Sequence, residues 1–318
     1  MYSAKIVADS LNPEGERLTT MEVVIPRCVL AELNTHKMIS KNSASSRAMP
    51  VKKLLQMAQD TPYIPEKFGV NQKGMQSEEF LTGAAAEEAR TEWLQARDNA
   101  VYQAQRMLDL NVHKQFTNRL LEPFLWHTCI LTGTEWSNFF HLRCHPMAHP
   151  SIRTTAELMS EQYGVSQPKL LAQGDWHRPY TDDEDLAVCD IDTLVKVSTG
   201  RCARVSYLTH DGRKDHSEDI KLHDRIVAPG HMSPLEHPAR PLTAVERKQY
   251  RMHHFVTERG NTYSLREYYR VDGDIVNPYG RGKVVKHWTT HFCGNLDGWM
   301  QYRKTVPYEH DILSTPGR

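Results

Sequence analysis

The sequence has no excess of either charge. Its 39 basic and 39 acidic side chains cancel, so a broadly cationic nucleic-acid surface has no compositional support, while a local anion site is still allowed. No apolar run approaches the roughly 18 residues of a membrane-spanning helix. Met1-Tyr2-Ser3-Ala4-Lys5 lacks the charged start and apolar stretch of a secretory signal. The expectation is a cytoplasmic protein whose partners include no membrane and no nucleic-acid polymer. Cysteine is scarce: Cys28, Cys129, Cys144, Cys189, Cys202 and Cys293 are the six present. With no CxxC pair among them they do not form a disulfide scaffold, and reduced, mostly buried thiols are expected. No internal repeat is present. What remains is a folded globular chain of 318 residues, 39% hydrophobic and 25% charged, with 17 Gly and 17 Pro, long enough for one large domain or two ordinary ones.

Residues 3–9 and 18–26 are β-rich and flank Asn12-Pro13-Glu14-Gly15, whose Pro and Gly supply the fixed and the positive φ angles of a turn. They predict an opening hairpin. Val29, Leu30 and Leu33 share one helical face after Pro26, predicting a short helix that runs into the polar stretch 34–47. Between 77 and 110 the chain is rich in Ala, Glu, Arg and Gln. Trp93, Ala96, Ala100, Ala104 and Met107 step along one face there, which predicts a long helix. Further expectations are a helix at 112–121, a buried strand at 124–131, a helix at 135–143 and another after Pro150. Residues 167–185 read as a connecting segment without periodicity. Helices at 191–203 and 215–226 then lead into strand-like, aromatic segments that extend to the C-terminus.

The densest chemistry lies in Thr35-His36-Lys37-Met38-Ile39-Ser40-Lys41-Asn42-Ser43-Ala44-Ser45-Ser46-Arg47. Three cations, a His, four Ser and an Asn share thirteen positions. Such side chains, with the backbone N–H groups of a loop entering a helix, are the donors that hold phosphate oxygens, and Arg does so bidentately. The plain alternative is a solvated Ser-rich loop. A second constellation, His141, Cys144, His145 and His149, has the spacing of zinc ligands on one helix face. Pro146 and Pro150 spoil it, because a Pro costs a helix interior about 3 kcal/mol, and no metal is expected.

The spacing of the polar segment resembles the signature RHRxxSxNxxSxR of flavin-dependent thymidylate synthases. His36, Ser40, Asn42, Ser45 and Arg47 match in register, Lys37 keeps the charge of the second Arg, and Thr35 loses that of the first. Ser43 stands where the family has Glu, and Glu32 where it generally has Gln. Two further blocks agree. Ala203-Arg204-Val205-Ser206-Tyr207 with Gly230-His231-Met232-Ser233-Pro234-Leu235-Glu236-His237 resembles the ARVS and GHxSPFEH segments. Arg119-Leu120-Leu121-Glu122-Pro123 and Asn138-Phe139-Phe140-His141-Leu142-Arg143 resemble the R-xx-LP and NFxxLR segments, with Glu122 in place of Leu. The ARVS and SPFEH blocks normally come first in the family. Here they follow the signature, so the chain is identified as a circularly permuted, divergent member, an arrangement that surface termini tolerate.

The resemblance implies an α+β fold, a mixed, largely antiparallel sheet packed against long helices. It implies a single domain in permuted order: 1–163 with the signature and helical part, 164–187 connecting, and 188–318 with the ARVS and SPLEH part and a C-terminal extension. It also implies a homotetramer with FAD as cofactor, dUMP as substrate, and NADPH and methylenetetrahydrofolate as co-substrates, the flavin carrying the chemistry while the protein orients and neutralises. Carried over by position, His36, Lys37, Ser40, Asn42, Asn138, Ser206, His231 and Ser233 become FAD contacts. Glu32, Ser45, Arg47, Arg119 and Arg143 become nucleotide contacts, with Ser45 and Arg143 as the catalytic candidates. Each has a bland alternative: Arg143 capping a helix, Ser206 marking an element boundary, Asn138 satisfying buried backbone. Arg303 or Lys304 is a candidate to replace the charge lost at Thr35. The departures at Glu32, Thr35 and Ser43 leave two other readings: flavin-dependent hydroxymethylation or other alkylation of a deoxypyrimidine nucleotide, and a non-catalytic nucleotide-binding protein.

Overall fold

The computed structural model describes residues 1–205, 214–247 and 295–306, together with the backbone of short strands between 254 and 286. Strands β1 (Ser3–Leu11) and β2 (Arg17–Pro26) form the predicted hairpin. Its turn is built by Gly15 at φ 85° and by Asn12, whose Oδ1 accepts from the N–H groups of Glu14 (3.1 Å) and Glu16 (2.8 Å). A 3-10 turn over Arg27–Val29 and helix α1 (Leu30–Asn34) follow. The polar stretch, expected as a loop, contains strand β3 (Ser40–Ser43). Pairing against a hydrophobic neighbour strand overrides the low β-propensity of Ser and Asn there. Helix α2 (Val51–Asp60) follows, buried through Val51, Leu54, Leu55 and Ala58.

The long helix α3 is Gly83–Asp109, starting six positions after the expected start at 77. Its inward stripe keeps Trp93, Ala100 and Ala104 but not Ala96, which is exposed; Arg97 lies a turn beyond Trp93 and donates to the Ala58 carbonyl at 3.0 Å. The helix expected at 112–121 is shorter: α4 covers Lys114–Thr117 and passes into 3-10 turns over Asn118–Phe124 that contain Pro123. A Pro without N–H cannot continue the α ladder. Strand β4 (Trp126–Gly133), helix α5 (Ser137–Arg143) and helix α6 (Pro150–Val165) complete this part.

The segment read as connecting holds strand β5 (Lys169–Leu170) and the start of α7 (Asp183–Val188). The acidic run there is an N-terminal signal: Asp182 and Asp185 form a reciprocal capping box, each side chain satisfying the other's backbone N–H. Helices α8 (Ile191–Arg204) and α9 (His216–Val227) are capped by Asp190 and Asp215. A 3-10 turn at Ser233–Glu236 leads to β6 (Ala239–Pro241). Short strands β7 (His254–Val256) and β8 (Thr262–Ser264) pair together, as do β9 (Tyr269–Val271), β10 (Asp274–Val276) and β11 (Val285–Lys286). Strand β12 (Trp299–Gln301) pairs antiparallel with β6, and a 3-10 turn covers Tyr302–Thr305.

The main sheet has the order β3-β4-β2-β1-β5, antiparallel throughout except for β1 with β5. Alternation along β2 and β4 gives it two buried faces. Met21, Val23, Ile25, Cys129 and Leu131 point to one face and meet Ile152, Ala156 and Met159 of α6, with Trp136 and Phe139 beside them. On the other face Ile130 packs on Cys202 and Val205, and Leu18 packs on Ala239, Leu296 and Trp299. The fold is therefore α+β, as the resemblance implied, with the sheet between two packed layers. Of the five described cysteines only Cys129 and Cys202 are buried; Cys144 and Cys189 are half-buried and Cys28 is exposed. The expectation of mostly buried thiols is corrected accordingly, because Cys28 sits on the outward side of a short 3-10 turn.

Candidate functional site

Strand β3 is the edge of the sheet, hydrogen-bonded only to β4. Its alternation sends Ser40 and Asn42 inward, while Lys41 and Ser43 are half-buried. Both inward residues bind parts of the chain far away in sequence. Asn42 Nδ2 donates to the Cys202 carbonyl at 2.9 Å, and Ser233 Oγ lies 3.5 Å from Asn42 Oδ1. Ser40 Oγ accepts from Asn295 Nδ2 at 2.8 Å and from Gln301 Nε2 at 3.0 Å. The segments around Cys202 and Ser233 thus dock on the signature strand.

A second cluster forms where α1 meets the C-terminal end of α5. Arg143 Nε donates to His36 Nε2 at 2.8 Å, and its Nη2 donates to Thr35 Oγ1 at 3.0 Å and to the Glu32 carbonyl at 3.3 Å. Arg143 is therefore more than a helix cap. Its guanidinium supplies positive charge against Thr35, the position that lacks its own. His36 is buried edge-on to Phe139, with ring centroids 4.9 Å apart. Burial, then the neighbouring Arg143 and Lys41, lowers its pKa to about 4, so at neutral pH the imidazole is uncharged and its Nε2 is an acceptor. Lys41 Nζ donates back to the carbonyls of His36 and Ile39. One carboxylate oxygen of Glu32 is buried and has no hydrogen-bond partner among the described residues. A buried orphan acceptor costs free energy unless a donor reaches it.

The third cluster was not read from the sequence as a unit. Glu122 Oε1 accepts from Ser46 Oγ (2.6 Å), Arg27 Nη2 (2.9 Å) and Arg119 Nη1 (2.7 Å). Burial raises its pKa, but the bonds from Ser46 and Arg27 outweigh this and hold it below the ordinary carboxylate range. Arg27 also reaches His127 Nδ1 at 2.8 Å. Asn118 Nδ2 fixes the same turn by donating to the carbonyls of Ser46 (2.6 Å) and Met49 (3.0 Å). The signal available in sequence was the charged residue in place of the family's Leu; its partners come from three separate elements.

Other candidates stand apart from these bonds. Lys37, Arg47, Asn138 and His231 are exposed, and their side chains have no hydrogen bond or ion pair among the described residues; Ser45 is half-buried in the turn closed by Ala48 N–H on its carbonyl at 3.0 Å. Ser206 lies outside the described residues. Arg303 Nη1 pairs with Glu236 at 2.6 Å, so the guanidinium found at Thr35 is that of Arg143. In the His and Cys group, α5 ends at Arg143 with Cys144 as its cap. His145 Nδ1 accepts from Met147 N–H (3.1 Å), and His149 caps α6 by accepting from Ser151 N–H (3.2 Å). No cluster of three or more metal-ligating side chains occurs among the described residues. No described helix is long and apolar enough to cross a membrane.

Residues 17–168 match the family described as thymidylate synthase complementing protein, Thy1. That span runs from β2 through α6 and is similar to this family. The match includes every candidate from Glu32 to Arg143 and leaves out Ser206, His231 and Ser233. Among solved structures, the chain is similar to a UMP/dUMP methylase PolB from Streptomyces cacaoi in two ligand-bound crystal structures. With 5-Br UMP the identity is 15% and the TM-score 0.40, covering 52% of this chain and 89% of that one. With 5-Br dUMP the values are 14%, 0.41, 52% and 90%. No curated protein matches the chain.

Proposed function

We propose that this chain is a flavin-dependent thymidylate synthase, a homotetrameric enzyme in the cytoplasm. It methylates dUMP reductively, with FAD as cofactor, NADPH as reductant and methylenetetrahydrofolate as one-carbon donor. The observation that carries the reading is the docking of the Cys202 and Ser233 segments on Asn42 of the signature strand. Contact between motif blocks whose paired residues lie 160 and 191 positions apart is what a site built from those blocks requires.

The donor set fits a phosphate-bearing flavin and a nucleotide. Lys37 and Arg47 are exposed cations without a partner among the described residues, so an anion gains their charge without breaking an existing pair. FAD when bound would supply the hydride chemistry. The protein's part is positioning. Asn42, already oriented by the Cys202 carbonyl, and Ser233 hold the wall of the site. Neutral His36, fixed by Arg143, presents no positive charge to compete with Lys37. Arg47 and Ser45 take the nucleotide phosphate, with Arg119 reaching it from the Glu122 cluster. Glu32, with its spare acceptor oxygen, suits an N–H of the substrate base rather than its phosphate. Arg143, next to Thr35, completes the polar rim.

The test is mass spectrometry of the nucleotide after incubation of the purified protein with dUMP, FAD, methylenetetrahydrofolate and NADPH, with dCMP in parallel. A methyl gain on dUMP is expected. A hydroxymethyl product, or reaction with dCMP alone, would replace the substrate assignment, and no product with either would leave a nucleotide-binding protein. Arg47→Ala is expected to weaken dUMP binding about tenfold or more, the worth of one charge-assisted contact, with unchanged thermal unfolding.

A further inference from the structure

Away from the three clusters, one thiol has a base and the base has an orienting carboxylate. Cys189 Sγ lies 3.6 Å from His216 Nδ1, and His216 Nε2 lies 2.6 Å from Asp185 Oδ1. Burial raises the Asp185 pKa, but hydrogen bonds from Arg201 and His216 outweigh it and hold the carboxyl well below the ordinary range. Asp185 is therefore an anion that only accepts, so His216 must carry its proton on Nε2. That fixes the tautomer. In the neutral ring Nδ1 then holds a lone pair within reach of the Cys189 thiol, the order of nucleophile, base and orienter that activates cysteine.

The surroundings support the arrangement. Arg201 grips Asp185 with two nitrogens, Nη1 to Oδ2 at 2.6 Å and Nη2 to Oδ1 at 2.9 Å, so the orienter does not move. Cys189 lies between two helices, as the C-cap of α7 and immediately before Asp190, the N-cap of the 14-residue α8. Cys189 is half-buried and the His216 side chain is 26% exposed, so small molecules reach both. The other described thiols differ. Cys129 and Cys202 are buried, and burial pushes both up, Cys129 to about 12. Cys28 is exposed but has no imidazole partner among the described residues.

We propose that Cys189 is a reactive thiol site, activated by His216 and Asp185, whose reaction partners are low-molecular-weight disulfides. In the step, the Cys189 proton passes to His216 Nδ1 and the sulfur attacks one sulfur of the disulfide. A new S–S bond forms as the old one breaks, and the departing thiolate takes the proton back from His216. Cys189 is oxidised and the leaving sulfur reduced, so the step balances without a further reagent. This site is independent of the nucleotide reading.

The full, reduced chain is treated at about neutral pH with iodoacetamide or with oxidised glutathione, and the modified cysteines are mapped over time by mass spectrometry. Cys189 is expected to react about tenfold faster than Cys28 with iodoacetamide, the gain that a base within hydrogen-bond reach of the thiol provides, and to form a mixed disulfide that dithiothreitol reverses. His216→Gln keeps an N–H for Asp185 but cannot take the thiol proton. It is expected to slow Cys189 about tenfold, leaving Cys28 and the unfolding midpoint unchanged. Equal rates at Cys189 and Cys28 in the unmodified chain would overturn the proposal, whatever the folding of the variant. An unaltered Cys189 rate in His216→Gln would remove His216 as the base, and an iodoacetamide adduct without a mixed disulfide would remove the partner class.

Discussion

Arg143 donates its Nε–H to Nε2 of His36 across 2.8 Å, a bond that only the neutral imidazole can accept. Burial and then the Arg143 charge keep the ring neutral down to about pH 4. Removing the guanidinium in Arg143→Ala leaves the burial and deletes part of the charge effect. The His36 pKa should then rise toward the ordinary value of about 6.5 without reaching it. An NMR titration of the imidazole resonances in both proteins reads this directly, and an unmoved pKa would mean that the guanidinium contributes nothing.

Glu122 joins Arg27, Arg119 and Ser46, but its partners are unequal. The Arg27 side chain is 14% exposed and that of Arg119 50%. Glu122→Leu removes the carboxylate partner of a largely buried guanidinium and should cost about 2 kcal/mol in urea unfolding. Arg119→Ala removes an exposed i,i+3 partner and should cost less than about 1 kcal/mol. If Arg119 nevertheless serves the nucleotide, its loss will appear in dUMP affinity measured by calorimetry and not in stability.

Gly200 of α8 faces α9 so closely that a Cβ would lie 2.2 Å from the Asp219 carbonyl oxygen. Backbone cannot yield as a side chain tip does. Gly200→Ala should separate the helices and destabilise the fold by about 3 kcal/mol, the upper part of the usual overpacking cost, as read by chemical denaturation. The helix-propensity gain of Ala over Gly, about 1 kcal/mol, is too small to offset this.

Three buried histidines make stability pH-dependent. His127, His177 and His237 are each held down to about 3, chiefly by burial. The unfolded chain protonates them near 6.5. Between about 6.5 and 3 the unfolded state binds more protons than the native one, so stability is full above that window and falls as pH falls through it. His177 links Ser10 (2.9 Å) to Thr20 (2.7 Å) inside the sheet layer. In His177→Gln the slope of unfolding free energy against pH, between about 5 and 4, should drop by about 1.4 kcal/mol per pH unit. An unchanged slope would show that His177 is not excluded from protonation in the native state.

The amino-acid sequence by itself determined the local elements. Asn12 to Gly15 specify the turn of the hairpin, Pro150 starts α6, Pro146 keeps α5 short, and Asp190 and Asp215 cap α8 and α9. Each of these depends on bonds within a few residues, which spacing encodes. The motif residues around β3 were legible for the same reason, as an unusual density of donors in one short stretch. The strand itself was not, because Ser40-Lys41-Asn42-Ser43 is extended only where β4 offers its free edge. Tertiary structure alone decided that Asn42 meets Ser233, 191 positions away, that Arg143 rather than Arg303 stands against Thr35, and that Glu122 gathers Arg27, Arg119 and Ser46. Such contacts are chosen by the packing of two layers on one sheet, and no periodicity in the chain records which distant side chains that packing will bring within hydrogen-bond reach.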